Sequence, residues 1–390
     1  MRLTYVSRRA WPARGGIERY LYLFATELAV NHDVQVLSQQ VADAEIGHLR
    51  VAMLGADFKP FTRNGLHTEP LRLTVPEKIR LLPLAARSLA YRVPRLGLVE
   101  DNYRRYGAVI GDAMARTADR PDVLHLMNGG NFAAAGAHAS RRLGVPLVVT
   151  PQAHPGQWDD DPASGEAYRK AQKVIASGEA DARTYLGLDV APQRVAIVPP
   201  CSAPLPQGRG EPLRRDRQLD GPLVLFLGVR REYKGVDVLM QAAPQVSRDV
   251  PGVTFAFVGP GAALPPAPDG VRILDVGPVD EEEKAGWLEA ADVLALPSGY
   301  ESFGLVVAEA WSLGTPVVTS TAPALVELVK AGGGGLAVPR ETGALARALV
   351  DVLRDPAAAR DMGAKGRAHW RAHHTPERTA RRLLEIYSSL

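Results

Sequence analysis

Short apolar strands alternate with longer amphipathic stretches along this chain, and the alternation runs twice. In the first half the strand-like runs are 3–7, 34–38, 123–127, 146–150 and 195–199, with a helical pattern over 16–29. In the second they are 223–227, 254–258, 272–276, 293–296 and 316–319, separated by helical patterns such as 236–246 and 281–290. Strand-helix alternation implies parallel sheets with helices on both faces. Between the two series, Pro199, Pro200, Pro204 and Pro206 cluster with Gly208 and Gly210, a composition that marks a linker. The expected organisation is an α/β chain with a Rossmann-like domain over 1–203, a linker over 204–220, a second Rossmann-like domain over 221–374 and a last helix over 375–390. Two such domains are expected to face each other and bind ligand in the cleft at the carboxyl ends of their strands.

A length of 390 residues suits two domains better than one. With 46% apolar and 23% charged residues the balance is that of a soluble chain. The net charge of +3 argues against nucleic acid as a partner, which would demand a dominant basic field. A single cysteine, Cys201, excludes an internal disulfide and a cysteine metal cage. The start, Met1-Arg2-Leu3-Thr4-Tyr5-Val6, reads as a first strand, and no apolar run approaches the length of a membrane span. A cytoplasmic enzyme is the simplest expectation.

The most informative stretch is 297–316. It contains Pro297-Ser298, Glu301-Ser302-Phe303-Gly304, Glu309-Ala310 and Gly314-Thr315-Pro316. A glycine turn follows the first carboxylate, and the second lies in an apolar run of helical length. Such a turn offers backbone N–H groups at a helix mouth, where a phosphate is stabilised. Eight positions along one helix would separate the carboxylates by about 12 Å. That exceeds the spacing of a glycosidase acid/base pair and suits two ends of one long ligand. Upstream, the strand 223–227 ends in Gly228 and is followed by Arg230, Arg231 and Lys234, which place cations at its carboxyl end.

Together these motifs resemble the signature of the retaining, nucleotide-sugar-dependent glycosyltransferases of the GT-B fold, glycosyltransferase group 1 (family 4). The resemblance extends along most of the chain. It implies two Rossmann-like domains around a central cleft, with the C-terminal helix crossing back to the first domain. It implies transfer of a sugar from a nucleoside diphosphate, UDP being commonest, to an acceptor hydroxyl with retention, and no metal or other cofactor. By resemblance, Lys234 and an upstream arginine stabilise the departing diphosphate. Val229 stands where that arginine most often follows the glycine, so Arg230, or else Arg231, must substitute. Glu309 resembles the carboxylate that accepts the donor's ribose hydroxyls. Glu301 resembles the glutamate beside the transferred sugar. Ser302, Phe303, Gly304 and Leu305 would present backbone N–H groups to sugar and diphosphate.

In the first half, Trp11-Pro12-Ala13-Arg14-Gly15-Gly16-Ile17-Glu18-Arg19 joins a strand to a helix. Glycines at such a turn suit phosphate approach, and the resemblance makes Gly15 and Gly16 a loop that closes on the diphosphate. His154, just past a strand end in Gln152-Ala153-His154-Pro155-Gly156, resembles the family histidine near the reacting sugar. His125 and Asn128 are candidates for the acceptor pocket. Glu327 matches a common family position or simply holds loops together.

Three features fit less directly. Residues 74–106 carry Lys78, Arg80, Arg87, Arg92, Arg95, Arg104 and Arg105 among leucines, with Pro76, Pro83 and Pro94. They read either as a solvated helical insertion or as a basic surface for peripheral membrane contact or an anionic acceptor. His369, His373 and His374 precede a final helix with Thr375 as N-cap and Pro376 at its first position, and read as a basic helix end, not a metal site. Asp159-Asp160-Asp161 has the spacing of a metal-binding Asp-x-Asp but lies in a hydrophilic loop before Pro162. A nucleotide-sugar epimerase, a phosphorylase or a catalytically silent sugar-nucleotide-binding module could share the architecture. Gly259-Pro260-Gly261-Ala262 is only half of a nicotinamide-dehydrogenase glycine motif. The acceptor stays open among a lipid-linked sugar, a polysaccharide and a small sugar, cyclitol or natural-product alcohol.

Overall fold

A computed structural model describes residues 1–13, 15–41, 58–87, 98–154 and 156–390. Arg14, Arg92, Pro94, Arg95 and Pro155 lie outside the described residues. The chain divides into two units, Met1–Pro200 with Thr379–Leu390, and Cys201–Arg378.

The first unit is built on eight strands: β1 (Arg2–Arg9), β2 (Asp33–Gln40), β3 (Phe61–Arg63), β4 (Leu66–Pro70), β5 (Val123–Leu126), β6 (Leu147–Val149), β7 (Lys173–Ala176) and β8 (Val195–Ile197). Their order is β3-β4-β2-β1-β5-β6-β7-β8, parallel apart from the β3–β4 hairpin. The helices are α1 (Gly16–Ala29), α2 (Val75–Arg87), α3 (Leu98–Thr117), α4 (Gly130–Leu143), α5 (Pro162–Arg169) and α6 (Glu179–Gly187). The central strands β1, β5 and β6 are buried without alternation because helices cover both faces. Leu3, Val6, Leu124 and Leu126 are buried between the layers, each worth about 1.5–3 kcal/mol relative to exposure. The order of strands reverses between β1 and β5, and such a switch point opens a crevice at the carboxyl ends.

The second unit has six parallel strands, β9 (Leu223–Leu227), β10 (Thr254–Val258), β11 (Arg272–Gly277), β12 (Val293–Leu296), β13 (Val317–Ser320) and β14 (Gly335–Val338), in the order β11-β10-β9-β12-β13-β14. Its switch point lies between β9 and β12. The helices are α7 (Gly210–Asp216), α8 (Val236–Asp249), α9 (Glu281–Ala290), α10 (Leu305–Leu313), α11 (Pro323–Gly332), α12 (Thr342–Arg354) and α13 (Pro356–His373). A last helix, α14 (Pro376–Tyr387), ends within the first unit.

The expected linker 204–220 contains α7, and the second unit begins at Cys201. Glu289 explains the ordering: its carboxylate accepts from the N–H groups of Gly208, Arg209 and Gly210 at 2.6–2.9 Å, so the prolines and glycines lead straight into a docked helix. Two prolines of the basic stretch lie within α2. Pro76 sits in the first turn of α2, where no intrahelical donor is needed, and Pro83 lies inside the helix. Among the described residues, no helix is long and apolar enough to cross a membrane.

Candidate donor and acceptor sites

Two loops flank the switch point of the second sheet. The loop after β9 runs through Arg230, Arg231 and a short 3-10 turn, Glu232–Lys234, into Gly235 and α8. The loop after β12 runs from Pro297 to Gly304 and into α10. They are pinned together. Gly299 N–H donates to Tyr233 O at 2.6 Å. Arg340, just past β14, donates to Pro297 O at 3.0 Å and to Glu232 O at 3.2 Å. Gly235 takes φ 74°, and a Cβ there would collide with the carbonyl of Pro297, so glycine permits the approach.

This scaffold brings Lys234 Nζ to 2.6 Å from Glu301 Oε1, with side chains 18% and 9% exposed. The pair joins the two loops whose motifs the sequence singled out. Glu301 and Glu309 do not share a helix. Gly304, at φ 97°, caps α10 five residues before Glu309, and Glu301 stays in the loop. The helix mouth carries no side-chain cap, so its first amides keep their affinity for an anion. Phe303 turns its ring inward and packs against the apolar core, while Ser302 and Leu305 are half-buried on either side. The amides expected to meet a ligand are therefore held by a buried anchor.

Glu309 is fixed by the helix that carries it. Val307, Ala308, Ala310 and Trp311 are buried, and Trp311 Nε1 donates to Gly334 O at 3.0 Å. Glu309 is left mostly buried, with Oε1 2.8 Å from Lys284 Nζ. Lys284 also meets Glu281 at 3.0 Å. Burial alone would lower the lysine's pKa, but the carboxylates of Glu309 and Glu281 outweigh it and hold the ammonium above its usual range. Lys284 was missed in the sequence because it lies 25 positions before its partner, in an acid-rich helix that reads as a solvated face.

The two arginines separate. Arg230 was expected to reach the diphosphate. It instead pairs with Asp275 at 2.5 Å and donates to Ala262 O at 3.2 Å, its side chain only 6% exposed. The reason is strand order: β11 is the edge neighbour of β10, and the loop after β9 lies on the loop after β10, so Arg230 faces the sheet edge. Arg231 is the exposed one. Glu327 is half-buried on α11. His374 lays its ring 5.2 Å from that of Phe303, and the His369 and His373 rings lie 4.6 Å apart.

In the first unit, Gly15 is the N-cap of α1. The Glu18 carboxylate folds back on Gly15 and pairs with Arg9 at 2.7 Å. A phosphate reaching Gly15 and Gly16 would share the turn with that ion pair. Asn128, at the end of β5, accepts from Arg8 N–H at 2.7 Å and ties the two strands of the switch point. His154 is half-buried, stacked on Trp158 at 4.2 Å, with Nδ1 3.2 Å from Gln152 O.

His125 is not a pocket residue. It is buried, and its two ring nitrogens lie 2.5 Å from Tyr387 Oη and 2.8 Å from Thr150 Oγ1. Burial pushes its pKa down to about 3, so it stays neutral. Tyr387 also meets Tyr5 at 2.9 Å, so this buried chain anchors the last helix to β1 and β5. In the aspartate run, Asp161 is the N-cap of α5, accepting from Ala163 and Ser164 at 3.0 and 3.1 Å. Asp159 lies against Gly130, and burial raises its pKa to about 6 despite the opposing charge of Arg8.

Comparison with known proteins identifies the family and the fold. Residues 221–355 match the family described as "Glycosyl transferases group 1", and residues 15–201 match the "Glycosyl transferase 4-like domain". A D-inositol 3-phosphate glycosyltransferase of Kineococcus radiotolerans is 30% identical over 395 residues, covering 87% of each chain. A protein of the same name from Nocardioides sp. is 30% identical over 298 residues, 65% of this chain and 64% of that one. Among solved structures, that of Anabaena HepE, a complex with UDP, superposes with a TM-score of 0.72 at 17% identity over all of both chains.

Proposed function

The chain belongs to the group 1 glycosyltransferases and has their GT-B fold, and from that premise we propose that it is a retaining, metal-independent enzyme that takes its sugar from a nucleoside diphosphate, with UDP as the nucleotide. The observation that carries this reading is the Lys234–Glu301 pair at the switch point, beside the uncapped mouth of α10. A departing diphosphate gains charge on its β-phosphate. A fixed ammonium and aligned amides at that point stabilise the charge as it develops, usually the largest contribution to catalysis. Lys234 would exchange part of its contact with Glu301 for the phosphate, releasing that carboxylate to the sugar. Arg231, on the exposed side of the loop, supplies the second cation, and Glu309 accepts the ribose hydroxyls. The acceptor oxygen forms a bond to the anomeric carbon as the bond to the diphosphate breaks, and its proton passes to the leaving phosphate.

The acceptor hydroxyl is bound by the first unit, where His154 and Asn128 stand at the carboxyl ends of β6 and β5. The relatives' name supports a small phosphorylated polyol as one acceptor to try; a lipid-linked sugar is the other. The second is favoured by α2, whose Val75, Ile79 and Leu82 are 71%, 59% and 52% exposed on one face beside Lys78. An apolar stripe edged by cations suits the surface of an anionic membrane.

A thermal-shift screen of UDP-, GDP- and dTDP-sugars tests the donor, because a ligand of the native state raises the melting temperature. Product analysis with the stabilising donor and each acceptor then reads the anomeric configuration. Stabilisation by a UDP-sugar and an unchanged configuration are expected. Inversion, or no response to any activated sugar, overturns the reading.

A further inference from the structure

A glutamate that recognises a diol must be ionised and aimed. Its helix fixes the backbone, but the side chain keeps several rotatable bonds whose freedom opposes binding. The structure supplies an aiming group for Glu309. Lys284 projects from α9, its Nζ 2.8 Å from Glu309 Oε1 and 3.0 Å from Glu281. The side chains of Lys284 and Glu309 are only 14% and 17% exposed, so solvent screens the pair weakly. Glu281, at 52% exposure, is the outer partner.

We propose that Lys284 is a positioning residue for donor recognition: its ammonium holds one oxygen of the Glu309 carboxylate and leaves the other directed at the ribose diol. Preference for a ribonucleoside over a 2′-deoxyribonucleoside diphosphate then depends on Lys284 as well as on Glu309. The proposal rests on the reading of Glu309 as the ribose acceptor. It differs from a purely structural staple between α9 and α10, which would affect stability and overall affinity but not the recognition of one hydroxyl.

The test is calorimetric binding of UDP and 2′-deoxy-UDP, and of GDP and 2′-deoxy-GDP, to the full chain. The proteins are wild type, Lys284→Met, Lys284→Gln, Lys284→Arg and Glu309→Gln, with folding checked by circular dichroism. A charge-assisted hydrogen bond to the 2′-hydroxyl is expected to make the wild-type preference for the ribose form about tenfold or more with the base the site accepts. Glu309→Gln and both neutral Lys284 variants are expected to reduce that ratio to about threefold or less, and Lys284→Arg to keep most of it. If Glu309→Gln loses the preference while a folded neutral Lys284 variant keeps it, the positioning role is wrong and the ribose reading stands. If wild type shows no ribose preference with either base, both fail.

Discussion

Lys234 and Glu301 meet at 2.6 Å across the switch point of the second sheet, on two loops joined by the bond from Gly299 N–H to Tyr233 O. Removing the ammonium should therefore have two separable effects. Lys234→Ala is expected to lower kcat about 100- to 1000-fold, the usual cost of deleting one fixed transition-state donor. It also leaves a largely buried carboxylate unpaired, at about 1–3 kcal/mol of stability. Glu301→Gln keeps a hydrogen-bond partner for the lysine and should cost less stability. Steady-state kinetics and chemical denaturation of both variants check this; near-normal turnover in Lys234→Ala would remove the assignment.

Gly235 is where the same scaffold is least forgiving. Its φ of 74° disfavours any side chain, and a Cβ would meet the Pro297 carbonyl. Gly235→Ala is expected to destabilise the protein by about 1–2 kcal/mol from the backbone alone, with the collision adding to it. Because the displaced loop carries Lys234, the loss of kcat/KM should exceed what stability explains. Denaturation and kinetics at a temperature where the variant is folded provide the comparison.

Two buried groups in the first unit titrate in opposite senses. Asp159 is raised to about 6, so its neutral form favours the fold at low pH and that contribution is lost as pH climbs from about 4 to 6. His125 is depressed to about 3, so its contribution is present above about 6.5 and is lost as pH falls toward 3. Each gives a slope of at most about 1.4 kcal/mol per pH unit, and between about pH 4 and 6 they oppose. The Asp159→Asn variant, compared with wild type, should gain stability as pH rises through that window. Urea denaturation at several pH values reads the difference, and a flat difference curve would show that Asp159 is not desolvated.

The exposed face of α2 makes a simple surface prediction. Replacing Ile79 and Leu82 by glutamate should abolish sedimentation with anionic vesicles and leave binding to neutral vesicles at its low starting level. Both positions are more than half exposed, so folding should change by less than about 0.5 kcal/mol. Equal vesicle binding by wild type and variant would discard the membrane reading.

Much of the second unit is legible in the sequence. The strands 223–227, 254–258 and 293–296 appear where their uninterrupted apolar runs placed them, because a strand covered on both faces leaves no polar position to blur its ends. The β3–β4 hairpin, β7 and β14 were not anticipated. They are short or lie toward the edges, where the exposed Arg63 and the half-exposed Lys173 weaken the pattern.

The sequence by itself determined most of the strands and the glycine turn before α10, since local periodicity and turn chemistry act over a few positions, and its resemblance to a family singled out Lys234, Glu301 and Glu309. Only the tertiary structure decided their partners. It placed Glu301 off the helix and on Lys234, gave Glu309 to Lys284, took Arg230 away to Asp275 and buried His125 beneath Tyr387. Those pairings depend on strand order and helix packing between residues far apart in the chain. Charge and hydrogen bonding act through space, and the spacing of letters does not record which loops a sheet brings side by side.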